Sequence, residues 1–133
     1  MEQTDRKNII ITCPLSSDVD KKQSFCLLRH RPRAVMPLWI IADEKSTSIS
    51  ILIDSYRLIS LQELKGKIKA GDALEFLYLI AQAAYTVSDY LLNVDLRLLS
   101  PELIFFESAK LEQIRIVSLP VPETTDITVS IDG

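Results

Sequence analysis

Three glycines in 133 residues, Gly66, Gly71 and Gly133, are too few and too scattered to build a phosphate-cradling loop. A Walker loop, a dinucleotide fingerprint and a kinase glycine-rich loop all need clustered glycines, because backbone amides must approach the phosphates closely. The one histidine, His30, argues against a His-rich zinc site and against a His-based triad. Cys13 and Cys26 are too sparse for a disulfide framework and point to a reducing, cytoplasmic setting, read as two small buried hydrophobes with a mutual disulfide as the alternative. Taken with His30, they match no strong zinc spacing and a fourth ligand is missing. No metal and no cofactor are therefore expected. Nor is there a surplus of basic charge: fifteen Lys plus Arg face eighteen Asp plus Glu, a net charge of -3, which disfavours a non-specific nucleic-acid binder. The start, MEQTDRKNIII, does not read as a signal peptide. The most apolar stretch, Ala73 to Leu92, still holds Glu75 and Asp89. Each carboxylate costs about 2.5–3.5 kcal/mol at a bilayer centre, so a buried helix is expected there and no membrane span.

What is present suits a globular domain: 47% hydrophobic and 25% charged residues, in a chain long enough to bury a core without staples. The first third reads as strands, at Asn8 to Thr12, Ser24 to Leu28, Leu38 to Ala42 and Ser48 to Asp54. In the last of these Ile49, Ile51 and Ile53 alternate with polar residues, the period of a half-buried strand. Pro14 to Gln23 reads as a loop or wide hairpin, and Asp43 to Ser46 as a hairpin loop. The middle switches period. Ser60-Leu61-Gln62-Glu63 is a capping box opening a short helix to about Ile68. Gly71 breaks the chain, and Asp72 with Glu75 repeats the box before a long helix. Its polar residues Glu75, Gln82, Thr86, Asp89 and Asn93 form one narrow stripe, so it is expected to be buried on most sides. Leu103 to Phe106 and Gln113 to Val117 flank a polar turn and predict a β-hairpin that Pro120 and Pro122 end. A single α+β domain with antiparallel pairing is expected over residues 1–121. Residues 122–133 read as a tail, in which Asp126 to Ile131 either adds an edge strand or starts a linker.

The order of elements, with Leu96-Arg97-Leu98-Leu99-Ser100-Pro101-Glu102-Leu103-Ile104-Phe105-Phe106 after the long helix, resembles the hinge and catalytic loop of a protein kinase. Set beside H-R-D-L-K-P-E-N-I-L-L, the Arg, the second Leu, Pro, Glu and Ile coincide. The catalytic Asp position is Leu98, the Lys position Ser100, and the metal-binding Asn position Leu103. Phosphoryl transfer rests on positioned Mg²⁺ and a base, so the resemblance implies a degenerate, partial kinase-like architecture that is not an enzyme. The chain is more closely similar to an uncharacterised bacterial domain family that precedes the forkhead-associated (FHA) domain of Firmicutes proteins. The residues that carry this are Arg31-Pro32-Arg33, Ile51 to Asp54, Ile59 to Leu64, Tyr90-Leu91-Leu92 and Leu98 to Phe105. The resemblance spans roughly residues 25 to 120. It implies a non-catalytic interaction or regulatory module whose partner is a protein or another domain of the same chain. The alternatives are a nucleotide-binding kinase remnant and a pseudokinase-like component of a bacterial secretion assembly.

The densest charge cluster is Arg29-His30-Arg31-Pro32-Arg33. Residues 1–33 carry seven Lys or Arg against four Asp or Glu, and the remainder eight against fourteen. Arginine forks bind carboxylate and phosphate, so Arg29, His30, Arg31 and Arg33, with Tyr56, are candidate contacts for an anion or acidic partner; a solvated turn paired with nearby acids is the alternative. Trp39 and Tyr56 are read as core or as interface anchors. Asp95-Leu96-Arg97 is expected to form a local turn and ion pair rather than a catalytic base.

Overall fold

The computed structural model describes residues 8–14, 16–42, 48–56, 58–64, 72–107 and 110–132. They form an α+β fold with two antiparallel sheets. Strands β1 (Asn8–Pro14), β2 (Leu38–Ala42), β3 (Ser48–Ile53) and β7 (Thr128–Asp132) make the larger sheet, in the order β2-β3-β1-β7. Strands β4 (Leu58–Ser60), β5 (Phe105–Glu107) and β6 (Lys110–Arg115) make the smaller, in the order β4-β5-β6. The described residues also form helices α1 (Lys21–Arg29), α2 (Leu61–Leu64) and α3 (Ala73–Asp89) and a 3-10 turn at Leu96–Leu98. Among the described residues no helix is long and apolar enough to cross a membrane.

Alternation decides which face of the larger sheet is dry. Ile9, Ile11 and Cys13 of β1 and Ile49, Ile51 and Ile53 of β3 are buried, and the register sets Ile11 opposite Ile51 and Ile9 opposite Ile53. The intervening residues point the other way. There Trp39 stays 63% exposed, beside Ile41 on the outer face of β2, so Trp39 is not core. Both cysteines are free thiols.

Three expectations are corrected. The segment read as a loop followed by a strand is α1. Asp20 caps it, accepting from the Gln23 amide at 2.9 Å, and its own amide donates to Pro120 O at 2.7 Å. The short apolar run Phe25 to Leu28 imitates a strand, yet only Leu27 is buried while Phe25 and Leu28 lie open, the single stripe of a surface helix. Second, Asp72 makes no side-chain capping bond. Third, α3 is not buried on most sides: only Ala83 and Val87 are fully enclosed. Asn93 lies beyond the helix end, which closes at Tyr90.

Other expectations hold. Ser60 and Glu63 form the reciprocal box: Ser60 N donates to Glu63 Oε1 at 3.1 Å and Glu63 N to Ser60 Oγ at 3.2 Å. α2 then docks on the smaller sheet, Leu61 N donating to Ile104 O at 2.8 Å. β5 and β6 make the expected hairpin, but with Glu107 and Lys110 to Glu112, expected in its turn, inside the strands. β4, not foreseen, pairs with β5. Of the two readings for residues 126–131, the edge strand is found, as β7 against β1. The expected turn at 43–46 and the end of the short helix after Leu64 lie outside the described residues.

Candidate functional site

The arginine turn leaves α1 at His30, whose amide donates to Cys26 O at 2.8 Å. Its course is then fixed by pairing with a segment some eighty residues later in the chain. Val35 bridges Ile116 in parallel; Ile116 N donates to Ala34 O at 2.8 Å and Met36 N to Ile116 O at 2.9 Å. Val35 and Met36 are completely buried, and so is Pro32 within the turn. These bonds fix the main chain of the turn from which the arginines project, Arg33 with its side chain 63% exposed.

The five proposed contact residues separate into two groups. His30 packs its ring against Phe25 at a centroid distance of 5.2 Å, and Arg29 ends α1; both are exposed and belong to the helix. Arg31 and Arg33 belong to the smaller sheet. Arg31 donates from NH1 to Val35 O at 2.9 Å. Arg33 NH2 lies 3.6 Å from Glu107 Oε2, and Arg115 NH2 donates to that same oxygen at 3.1 Å. Burial, then the neighbouring Arg115 charge, depress the Arg31 pKa against the opposing pull of Asp54. Tyr56 N donates to Asp54 Oδ1 at 3.1 Å, and the Tyr56 side chain is half-exposed.

Arg115 is the residue that sequence reasoning missed. It sits on β6 between buried Ile114 and Ile116, with its side chain 18% exposed. Its Nε is buried and has no hydrogen-bond partner, so the guanidinium is only partly satisfied. The alternation along residues 113–117 marks Arg115 as facing away from the core. No local signal ties it to Arg31 and Arg33, because the link is a parallel bridge across the whole fold.

Arg33 and Arg115 thus converge on the Glu107 carboxylate, while Arg31, held on Val35 O, feels the charges of Arg115 and Asp54. Beside them runs a groove of about 370 Å³, lined by Arg33 and Ala34 of the turn, Leu79, Gln82 and Thr86 of α3, and Gln113 of β6. Arg33, in the wall of this partly apolar groove, suits a ligand that brings a carboxylate or phosphate together with aliphatic surface.

The remaining polar residues support the frame. Asp95 is buried and accepts from Arg97 N at 3.0 Å, Nε at 3.0 Å and NH2 at 2.6 Å. Burial would raise its pKa, but these hydrogen bonds and the Arg97 charge hold the carboxyl below its ordinary value. The predicted turn and ion pair is therefore present, with the carboxylate fully engaged. Leu98 and Leu103 are 0% and 3% exposed, as core aliphatics. Among the described residues no three His, Cys, Asp or Glu side chains converge as a metal-binding group. Comparison with protein-family models, curated proteins and solved structures finds no match.

Proposed function

We propose that the chain is a non-catalytic interaction module, which docks a protein partner or another domain of its own polypeptide through Arg31, Arg33 and Arg115. The observation that carries this reading is the convergence of Arg33 and Arg115 on one Glu107 oxygen, with Arg33 also lining a groove and Arg31 held in the same turn. The arrangement leaves positive charge in excess at a partly dry surface, where a fork-shaped donor discriminates among anions. The kinase-like layout is a proposal of the same kind. What supports it is the sequence resemblance, in which the base and metal-ligand positions fall on Leu98 and Leu103, both buried here. An FHA domain in the same polypeptide is the partner that the sequence resemblance suggests.

Two measurements test this. A fluorescent Glu-rich peptide carrying leucines should bind with an affinity that falls as salt rises, and the Arg31→Gln/Arg33→Gln variant should bind it at least tenfold more weakly while melting at an unchanged temperature. Equal affinity of the variant sinks the assignment of the site. MgATP should leave the melting temperature where it is. A Mg²⁺-dependent rise would favour a nucleotide-binding remnant instead.

A further inference from the structure

α3 carries apolar residues on two faces, and the protein covers one. Phe76, Leu79, Ile80, Ala83, Ala84 and Val87 pack toward the core. On the opposite side Leu74 is 77% exposed, Leu77 61%, Tyr78 65% and Tyr85 73%, with exposed Ala81 between them. At one residue per 100°, these five side chains fall within an arc of about 100°, the width of a face that normally meets another element. The four large ones leave on the order of 600 Å² in water, at the upper end of what a monomer ordinarily shows as one patch.

The charges beside this stripe narrow what covers it. From residue 72 to residue 91 the ionisable acids are Asp72, Glu75 and Asp89, and there is no Lys or Arg. All three are exposed, and Glu75, Gln82 and Asp89 recur every seven residues along one flank of the stripe. An acidic rim repels an anionic lipid surface, which selects amphipathic helices with Lys and Arg flanks. Self-pairing meets the same obstacle. Two α3 helices crossing antiparallel at Ala81 bring Glu75 of one copy to the Asp89 end of the other. The patch is also smaller than the roughly 800 Å² per partner of a standard stable interface. It is the size and shape that a single helix covers.

We propose that the outer face of α3 seats an amphipathic helix from a partner protein, with an aliphatic stripe over Leu74, Leu77, Tyr78 and Tyr85 and a Lys or Arg edge along Glu75 and Asp89. Ala81, small and central, lets the two helix axes approach closely. Glu75 and Asp89 lie fourteen residues apart, about 21 Å along the axis, so the partner's basic groups recur over the same four turns. The stripe residues Leu74, Leu77, Tyr78 and Tyr85 do not line the arginine groove, although Gln82 on the acidic flank does.

The test uses an eighteen-residue Leu/Lys peptide of helical period, the matched Leu/Glu peptide, and a scrambled Leu/Lys isomer without the period, each titrated by fluorescence anisotropy against the full chain. The Leu/Lys peptide should bind at least tenfold more tightly than either control. Leu77→Ser/Tyr85→Ser should remove that preference with an unchanged melting temperature; should the pair disturb folding, Tyr78→Ser alone carries the same expectation. Glu75→Gln/Asp89→Asn should weaken binding and flatten its salt dependence. Equal binding of all three peptides, or indifference to these variants, overturns the proposal. So does a dimer in sedimentation that Leu77→Ser/Tyr85→Ser dissociates, or phosphatidylserine-vesicle binding lost in that variant.

Discussion

Two residues show how a local choice sets a stability that experiment can read. Leu91 follows α3 with φ of 62°, in the left-handed region. Its amide donates to Ser88 O at 2.9 Å and the Leu92 amide to Val87 O at 3.2 Å, the paired bonds of a Schellman ending, which glycine usually completes. A side chain there costs about 1–2 kcal/mol, and Leu91 is 85% exposed, so it regains little by burial. Leu91→Gly is therefore expected to stabilise the fold by about 1 kcal/mol in urea titration; a loss of stability would show that Leu91 packs in solution. Asp95 gives a pH test. Its folded pKa lies below the unfolded one, so its contribution is complete above the unfolded value and disappears as pH falls through the folded value. Asp95→Asn should cost about 1–3 kcal/mol at pH 7, and the gap between variant and parent should close in acid. A gap that persists unchanged to the lowest pH at which both fold would assign the cost to packing. Both Asp95-Leu96-Arg97 and the Ser60–Glu63 box are legible in sequence, because each is closed within three residues. The site's decisive residue, Arg115, is not, because its partners lie far away in the chain.

At the scale of elements, sequence patterning worked where one period dominated a segment. β3 follows from alternation, with Ile49, Ile51 and Ile53 turned inward, and the β5–β6 hairpin from two apolar runs about a polar stretch. It misled where apolar content stood in for burial. α3 has a thin polar stripe, yet the domain supplies packing for only one side, leaving Leu74 and Tyr85 in water. α1 was misread for the opposite reason: Lys21, Lys22 and Gln23 are the first turn of the helix, and the strand-like run after them buries Leu27 alone. The capping box offers a direct check at this scale. Ser60 is 1% exposed and its hydroxyl accepts the Glu63 amide. Ser60→Ala should cost about 1 kcal/mol in a denaturant melt, whereas Ser60→Thr, which keeps the acceptor, should recover most of it. Equal losses in both would mean that the cavity around the side chain, and not the cap, sets the cost.

The whole molecule is closed by segments distant in sequence. Asn93 binds two of them: its amide donates to Gln23 Oε1 at 3.0 Å on α1, and its Nδ2 donates to Leu119 O at 3.0 Å and Val121 O at 2.7 Å. Past that clamp the chain runs over the turn at Asp95, where Arg97 NH1 donates to Thr125 O at 2.7 Å, and then enters the larger sheet as β7. The last strand thus protects the first. Ile9 to Thr12 of β1 is β-branched throughout, and without β7 its backbone would be an open edge, the arrangement that invites pairing between chains. Ending the chain at Val121 removes five registered β1–β7 pairs, from Asn8↔Asp132 to Thr12↔Thr128, together with the partly buried Ile127 and Ile131. The truncated protein is expected to lose on the order of 3 kcal/mol, from the apolar area and the hydrogen bonds given up. It is also expected to associate as its concentration rises, because the newly exposed edge has nothing in β1 to blunt it: no lysine, and Pro14 only at its far end. Urea midpoints together with light scattering over a concentration series separate the two effects. A monomer with an unchanged midpoint would make β7 an ornament of the sheet; a lower midpoint without association would make it a packing element only, with the β1 edge protected by some other means.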